Sequence, residues 1–187
     1  MILPIVLYGN PILRKKGEPV QRFDDTLRRL AQDMVETMHA HKGVGLAAQQ
    51  VGVALQVAVI DVRGVTDRPS SFIADGKKIP VADWMPLVLI NPKLELTKSK
   101  EPSEEGCLSF PGLRLTVPRA RRVLVRCQDL EGRPLVFEAS GFLSIVIQHE
   151  WDHLMGRLFI DYLDPMERQS LREILDKIRE GTVLPPA

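Results

Sequence analysis

The stretch Gln148-His149-Glu150-Trp151-Asp152-His153-Leu154 constrains this chain more than any other, because it continues an apolar run of Phe142, Leu143, Ile145, Val146 and Ile147. The run reads as a helix. At 3.6 residues per turn, His149 and His153 stand four apart and leave the same face one turn from each other. That spacing lets two neutral imidazole nitrogens converge on one metal ion, with Glu150 beside them to meet a water rather than to ligate. Phe142, Ile145, Val146, His149 and His153 form a continuous line on this face, so the ligand row extends an apolar wall. Two histidines four apart on a helix can also be ordinary core or surface residues. With four His in the chain, however, composition alone yields His-Glu-x-x-His at random on the order of one per cent of the time or less. Two ligands hold an ion weakly, so the rest of the chain has to supply a third.

Composition narrows the class. The 187 residues are expected to form one domain, 1–187, with a core of useful size. A hydrophobic fraction of 44% and a charged fraction of 26% suit a soluble globular protein. A net charge of +1 gives no bulk electrostatic case for nucleic acid or a membrane surface. The apolar start, Met1 to Tyr8, is short for a signal peptide, and no run reaches transmembrane length. Two cysteines argue against a disulfide framework and for a reducing, cytoplasmic setting. No internal repeat or low-complexity tract is visible.

Along the chain, turn signals at Asn10-Pro11 and Gly17-Glu18-Pro19 mark an irregular beginning. Leu27, Leu30, Ala31, Met34, Val35 and Met38 then keep helical spacing, with Asp24 or Asp25 as cap and Gly43 as the terminating residue. His39 and His41, in the last turn, lack metal spacing and read as structural or solvent-facing. Gly43 to Gln50 is rich in small residues, which permits close backbone approach, but it matches no phosphate-loop or dinucleotide pattern. Leu55 to Asp61 and Leu87 to Asn91 read as buried strands. Gly64 to Pro86, between them, reads as a surface excursion with Trp84 as a candidate anchor. Arg122 to Gln128 and Pro134 to Ala139 read as a hairpin around Asp129 to Gly132, with Cys127 a core residue. A last helix, about 165–180, is capped by Asp164, Pro165 and Glu167, buries Leu171, Ile174, Leu175 and Ile178, and stops at Gly181 and Pro185-Pro186.

After a charged segment, Glu105-Gly106-Cys107-Leu108-Ser109 offers the missing ligand. A cysteine beside glycine is more often a small hydrophobe. Here its thiolate would complete a Cys107-His149-His153 set that leaves a fourth position for water, as catalytic sites require.

Three ordered motifs now stand together: Gly-x-Gly-x-Ala-Ala-x-Gln at Gly43 to Gln50, Glu-Gly-Cys-Leu-Ser at Glu105 to Ser109, and Gln-His-Glu-x-Asp-His at Gln148 to His153. In these the chain resembles the peptide deformylases. Gln49 stands where Pro or Thr is more familiar, and the Gly64 to Pro86 stretch is longer than in compact members. The resemblance implies a mixed α+β fold in which mixed or antiparallel strands wrap around a central metal-binding helix, with an N-terminal and a C-terminal helix. It implies removal of the N-formyl group from the methionine of new polypeptides, with Glu150 as general base and then general acid. The Gln50 side-chain amide and the Leu108 backbone N–H would donate to the oxyanion. Gly45 and Gly106 would flank an extended substrate backbone. Val44, Phe142, Ile145, Val146 and the His149 ring would line the methionine pocket.

Around these residues, Glu105 is expected to pair with Arg119 or another arginine of the 119–122 cluster, and Asp152 to orient a ligand histidine. Arg114 is open between touching substrate and lying on the surface. The donor set suits Zn2+, Fe2+, Ni2+ or Co2+; the resemblance points to Fe2+ as the native ion. It also allows transient contact with the ribosome through the last helix, although the balanced charges there lend that little support. Two rival classes are a His-Glu-x-x-His metallopeptidase, which normally recruits a downstream ligand, and a non-catalytic, metal-stabilised binding module.

Overall fold

The helix that carries the two histidines, α2 (Phe142–Leu154), packs across one face of a seven-stranded antiparallel sheet. A computed structural model describes residues 1–182 of the chain. In chain order the other elements are α1 (Asp25–Ala40), β1 (Gly45–Ala47), β2 (Val57–Ile60), β3 (Ser70–Ala74), β4 (Lys77–Ile79), β5 (Leu87–Leu96), β6 (Lys100–Cys107), β7 (Phe110–Ala120), β8 (Arg122–Gln128) and β9 (Pro134–Gly141). After α2 come α3 (Pro165–Ser170) and α4 (Arg172–Arg179). The sheet runs β1-β2-β5-β8-β9-β3-β4, and β6 and β7 form a separate two-stranded ribbon. This is the mixed α+β architecture expected, with α2 at its centre.

Apolar spacing explains the layers. Leu143, Val146 and Ile147 of α2 meet Phe72, Val123, Val125 and Phe137 of the sheet in one core cluster. Met34 and Met38 of α1 pack with Leu46, Val57, Val59 and Ile90 in a second. The inward residues of the ribbon, Phe110, Leu113, Leu115 and Val117, meet Phe159, Leu175 and Ile178 in a third. Fully burying side chains of this size contributes about 1.5–3 kcal/mol each. Asp24 caps α1 by accepting from the Leu27 N–H. The left-handed residue that ends α1 is Lys42 (φ 55), not Gly43. Gly43 N–H instead returns to Met38 O and Lys42 N–H to His39 O, a Schellman closure in which Gly43 occupies the following position.

One expectation is refined, one is corrected, and one segment left unassigned is a strand. Gly64 to Pro86 lies at the surface, but it belongs to the sheet: β3 pairs with β9, Phe72 is fully buried, and Trp84, the expected anchor, stacks on Phe72 with centroids 4.8 Å apart. The charged segment before Cys107 is β6, whose alternation buries Ser103 and Glu105 and exposes Glu104. The last helix is two, because Leu171 (φ −94, ψ 0) interrupts it between α3 and α4. The capping box at Asp164 and Glu167 forms as the spacing predicts. The stop expected at Pro185-Pro186 lies outside the described residues.

The sheet also fixes how α2 begins. Gly141 at its N-cap has φ 67 and no side chain to cap with, and a Cβ there would stand 2.2 Å from Pro69 O. The first helical N–H groups are satisfied from the neighbouring strand instead: Phe142 N–H donates to Pro69 O, and Leu143 N–H to Ser70 Oγ at 3.0 Å.

Candidate metal centre

Three elements bring the chemistry together. α2 supplies His149 and His153, whose ring centroids lie 5.1 Å apart. The end of β6 supplies Cys107, at a point where the β6–β7 register shifts between Gly106 and Cys107. One ligand atom from each of Cys107, His149 and His153 lies within 4.8 Å of the others, and Cys107 Sγ is 3.4 Å from His153 Nε2. A thiol and two imidazoles are the donor set of a borderline-soft divalent ion.

Glu105 holds one of these rings in place. His149 Nδ1 lies 2.8 Å from Glu105 Oε1, a contact that fixes the proton on Nδ1 and leaves Nε2 free to ligate. Glu105 in turn takes a two-point contact from Arg119, with both N···O distances 2.8 Å. Asp152 does not orient a ligand histidine directly. It accepts from Arg119 Nη1 at 2.7 Å and from the Tyr162 hydroxyl at 2.9 Å, so its influence on His149 passes through Arg119 and Glu105. On α2, Asp152 stands three after His149 and one before His153, and its side chain faces Arg119 of the ribbon.

Burial sets the charges. Glu105 is held below the ordinary carboxylate range, because Arg119 and His149 outweigh the burial that works against its charge. Burial likewise opposes charge on His149, yet Cys107 and Glu105 beside it hold that ring well above its usual value. His153 is pushed well below, by burial first and by His149 and Arg119 after it. Burial raises Glu150 to about 7, against the pull of His149. Glu150 Oε2 is buried with no hydrogen-bond partner among the described residues. An orphaned carboxylate oxygen beside a Cys-His-His cluster fits a site that takes an ion and a polar ligand.

Gly45 makes room for that carboxylate. A Cβ on Gly45 would lie 2.3 Å from Glu150 Oε1 and 2.9 Å from Val146 Cγ1. Gly106 is more open, the Arg114 guanidinium being the nearest group at 3.5 Å. Arg114 pairs with Glu104 at 2.7 Å on the exposed face of the ribbon. Gln50 is oriented from both ends of its amide. Its Oε1 accepts from Ala47 N–H at 2.9 Å, which turns its Nε2 toward Ser109 Oγ at 3.2 Å and Cys107 Sγ at 3.5 Å. Leu108 packs against the α1 cluster through its side chain. Val44 and Phe142 pack at the edge of the core that contains Val146, and Ile145 is half-buried one turn along α2.

Two residues of this region carry no role in the sequence reading. Ser109 is fully buried and receives the Gln50 amide; its signal was its place directly after the cysteine and leucine. Tyr162 closes the Arg119–Asp152 pair from a short helical turn, and nothing in its spacing marks it.

Comparison with known proteins agrees with this geometry. The model of the polypeptide deformylase family matches residues 2–169. The peptide deformylase of Methylacidiphilum infernorum (isolate V4) is 61% identical over 184 residues, covering 98% of this chain and 96% of the relative. That of Alkalilimnicola ehrlichii is 43% identical over 183 residues, with 97% and 94% covered. Among solved structures, a peptide deformylase from Legionella pneumophila gives a TM-score of 0.80 at 37% identity and covers 100% of both chains. The peptide deformylase from Thermus thermophilus gives 0.80 at 38% identity, with 97% of this chain and 99% of that one covered. Matched over nearly its whole length in sequence and in fold, this chain belongs to the polypeptide deformylase family and is an enzyme of that family.

Proposed function

We propose that the chain hydrolyses the N-formyl amide at the methionine of newly made polypeptides, releasing formate, and that Cys107, His149 and His153 hold one divalent ion for this purpose. The observation that carries the reading is the buried, unpartnered Glu150 oxygen beside three converging ligand side chains. When bound, the ion supplies Lewis acidity and lowers the pKa of water from about 15.7 toward about 7. Glu150 takes the proton from the attacking water at its carboxylate and returns it to the departing amine. The Gln50 amide, turned by Ala47, presents its Nε2 donor on the cysteine side, where it and the Leu108 N–H stabilise the negative charge developing on the formyl oxygen. Losing one such donor typically costs about 10²–10³ in rate.

Gly106 leaves space for an extended substrate backbone, and Gly45, whose missing side chain makes room for Glu150, flanks that backbone on the other side. Val44, Phe142, Ile145, Val146 and the His149 ring line the slot for its first side chain. Glu105, with Arg119 and Asp152 behind it, keeps His149 in the tautomer that ligates. Family resemblance favours Fe2+ over Zn2+, Ni2+ or Co2+ as the resident ion. No described helix is long and apolar enough to cross a membrane, and the reaction belongs in the cytoplasm, where formylated chains emerge. The Cys107 ligand upstream sets this arrangement apart from a His-Glu-x-x-His peptidase with a downstream ligand.

The test is formate release from formyl-Met-Ala-Ser by anaerobically purified protein whose metal content is measured. Glu150→Gln is expected to retain the ion and to lose turnover by about 10²–10⁴. Full activity in that variant refutes the proton role, and cleavage of an unformylated internal peptide restores the peptidase reading.

A further inference from the structure

The inward positions of β6 run in step with α2. Cys107 lies against His153, and Glu105 two residues earlier lies against His149. Ser103, two residues earlier again and 3% exposed, continues the same wall toward the start of the helix. Its hydrogen-bond partner there is Arg68, from the segment just before β3. Its Nη2 lies 3.4 Å from Ser103 Oγ, and its guanidinium stands 4.2 Å from the centroid of the Phe142 ring. Arg68 therefore spans from the ribbon to the first residue of α2, at the end of the apolar wall farthest from the ligand cluster.

A cation in that place is not neutralised. A guanidinium carries five N–H donors. Among the described residues Ser103 takes one of them at a long distance, and no carboxylate pairs with the group. The Phe142 ring supports the charge through its face but accepts no further N–H in the plane. The α2 wall is thus apolar along its length and meets a donor-rich group at the start of the helix. A thioether, a weak acceptor, gains little from such an end. A sulfoxide gains more, because its oxygen accepts strongly and sits at the same point of the side chain.

We propose that Arg68 is a specificity-determining residue that closes the far end of the first-side-chain slot and admits methionine whose sulfur has been oxidised to the sulfoxide. The proposal rests on the deformylase reading of the site. An apolar slot without the cation would discriminate against the sulfoxide by roughly ten- to a hundredfold, since the oxygen would be desolvated unpaired. Methionine oxidation is a common lesion, and a deformylase with this slot processes chains that begin with the damaged residue.

The experiment compares kcat and KM for formyl-Met-Ala-Ser and for the same peptide carrying methionine sulfoxide, in the wild type, Arg68→Leu and Arg68→Lys. In the wild type the two substrates are expected to differ by less than about tenfold in kcat/KM. In Arg68→Leu the gap is expected to widen by a further ten- to a hundredfold, carried mainly by KM of the sulfoxide peptide. Arg68→Lys, which keeps donors and charge but not the planar fork, should fall between them. An unchanged ratio across the three proteins overturns the role of Arg68 and leaves the deformylase reading intact. No formate from either peptide in the wild type overturns both.

Discussion

At the scale of single residues, this site is built from side chains with two obligations each. Glu105 orients His149 and neutralises Arg119; Gln50 is fixed by Ala47 so that it can face Cys107. Removing one member of the buried Glu105–Arg119 pair leaves its partner charged and unsolvated, which is why such pairs resist single substitution. The i, i+4 spacing made the two imidazoles legible, and the mid-chain cysteine followed from the need for a third ligand. The Glu105–Arg119 pair behind them was expected and forms, but the contact of Glu105 with the His149 ring was not legible, because nothing in a sequence says which carboxylate a strand will place against which ring. Asp152, adjacent to His153 in sequence, serves Arg119 in space. Away from the site, Asp61 is buried at the end of β2 and accepts from Arg63 and from His39 Nε2 at 2.9 Å. The Arg63 contact lowers its pKa from 3.8 to about 2, with burial opposing and His39 assisting. A carboxylate depressed on folding stabilises the native state above its unfolded value and loses that contribution as pH falls through the folded one. Denaturant titrations should therefore show the wild type losing part of its advantage over Asp61→Asn between about pH 4 and pH 2. A constant difference across that window excludes the pairing.

At the scale of elements, the segment ahead of β9 in space decides how well α2 is anchored. Ser70 supplies the cap that Gly141 lacks. Ser70→Ala is expected to cost about 0.5–2 kcal/mol, read as a lower urea midpoint at unchanged slope. An unchanged midpoint means that Leu143 N–H is satisfied elsewhere. The same segment shows where sequence reading runs short. Asp75-Gly76 is a two-residue turn with both φ positive, 49 and 70, and it joins Ala74 to Lys77 in register. Asp-Gly between strands is a strong hairpin signal, but Ser70 to Ala74 holds too few apolar residues for periodicity to announce a strand. β6 hides for the opposite reason, since its inward residues are Ser103 and Glu105, so a half-buried strand looks like a charged loop. The break at Leu171 is equally invisible, because Leu171 belongs to the apolar stripe of the helix it interrupts. α1, α2 and the β8–β9 hairpin were legible because one period governs each of them along its full length.

For the molecule as a whole, the two thiols divide the roles. Cys127 is 6% exposed in β8, and burial pushes its thiol up to about 12. Cys107 is half-buried at the tip of the ribbon. With a chelator present, iodoacetamide at pH 8 should modify Cys107 and leave Cys127 untouched until the protein unfolds; an added divalent ion should slow the first reaction. Equal labelling with and without the ion removes Cys107 from the ligand set. The sulfur arrives on a ribbon outside the main sheet and the imidazoles on a helix against it, so an extended chain offers no such trio. Any ion captured here counts only toward the native state, and the folding equilibrium inherits a dependence on free metal. At a hundred times the dissociation constant that dependence would amount to about 2.7 kcal/mol, and a chelating buffer would then act on this protein as a mild denaturant.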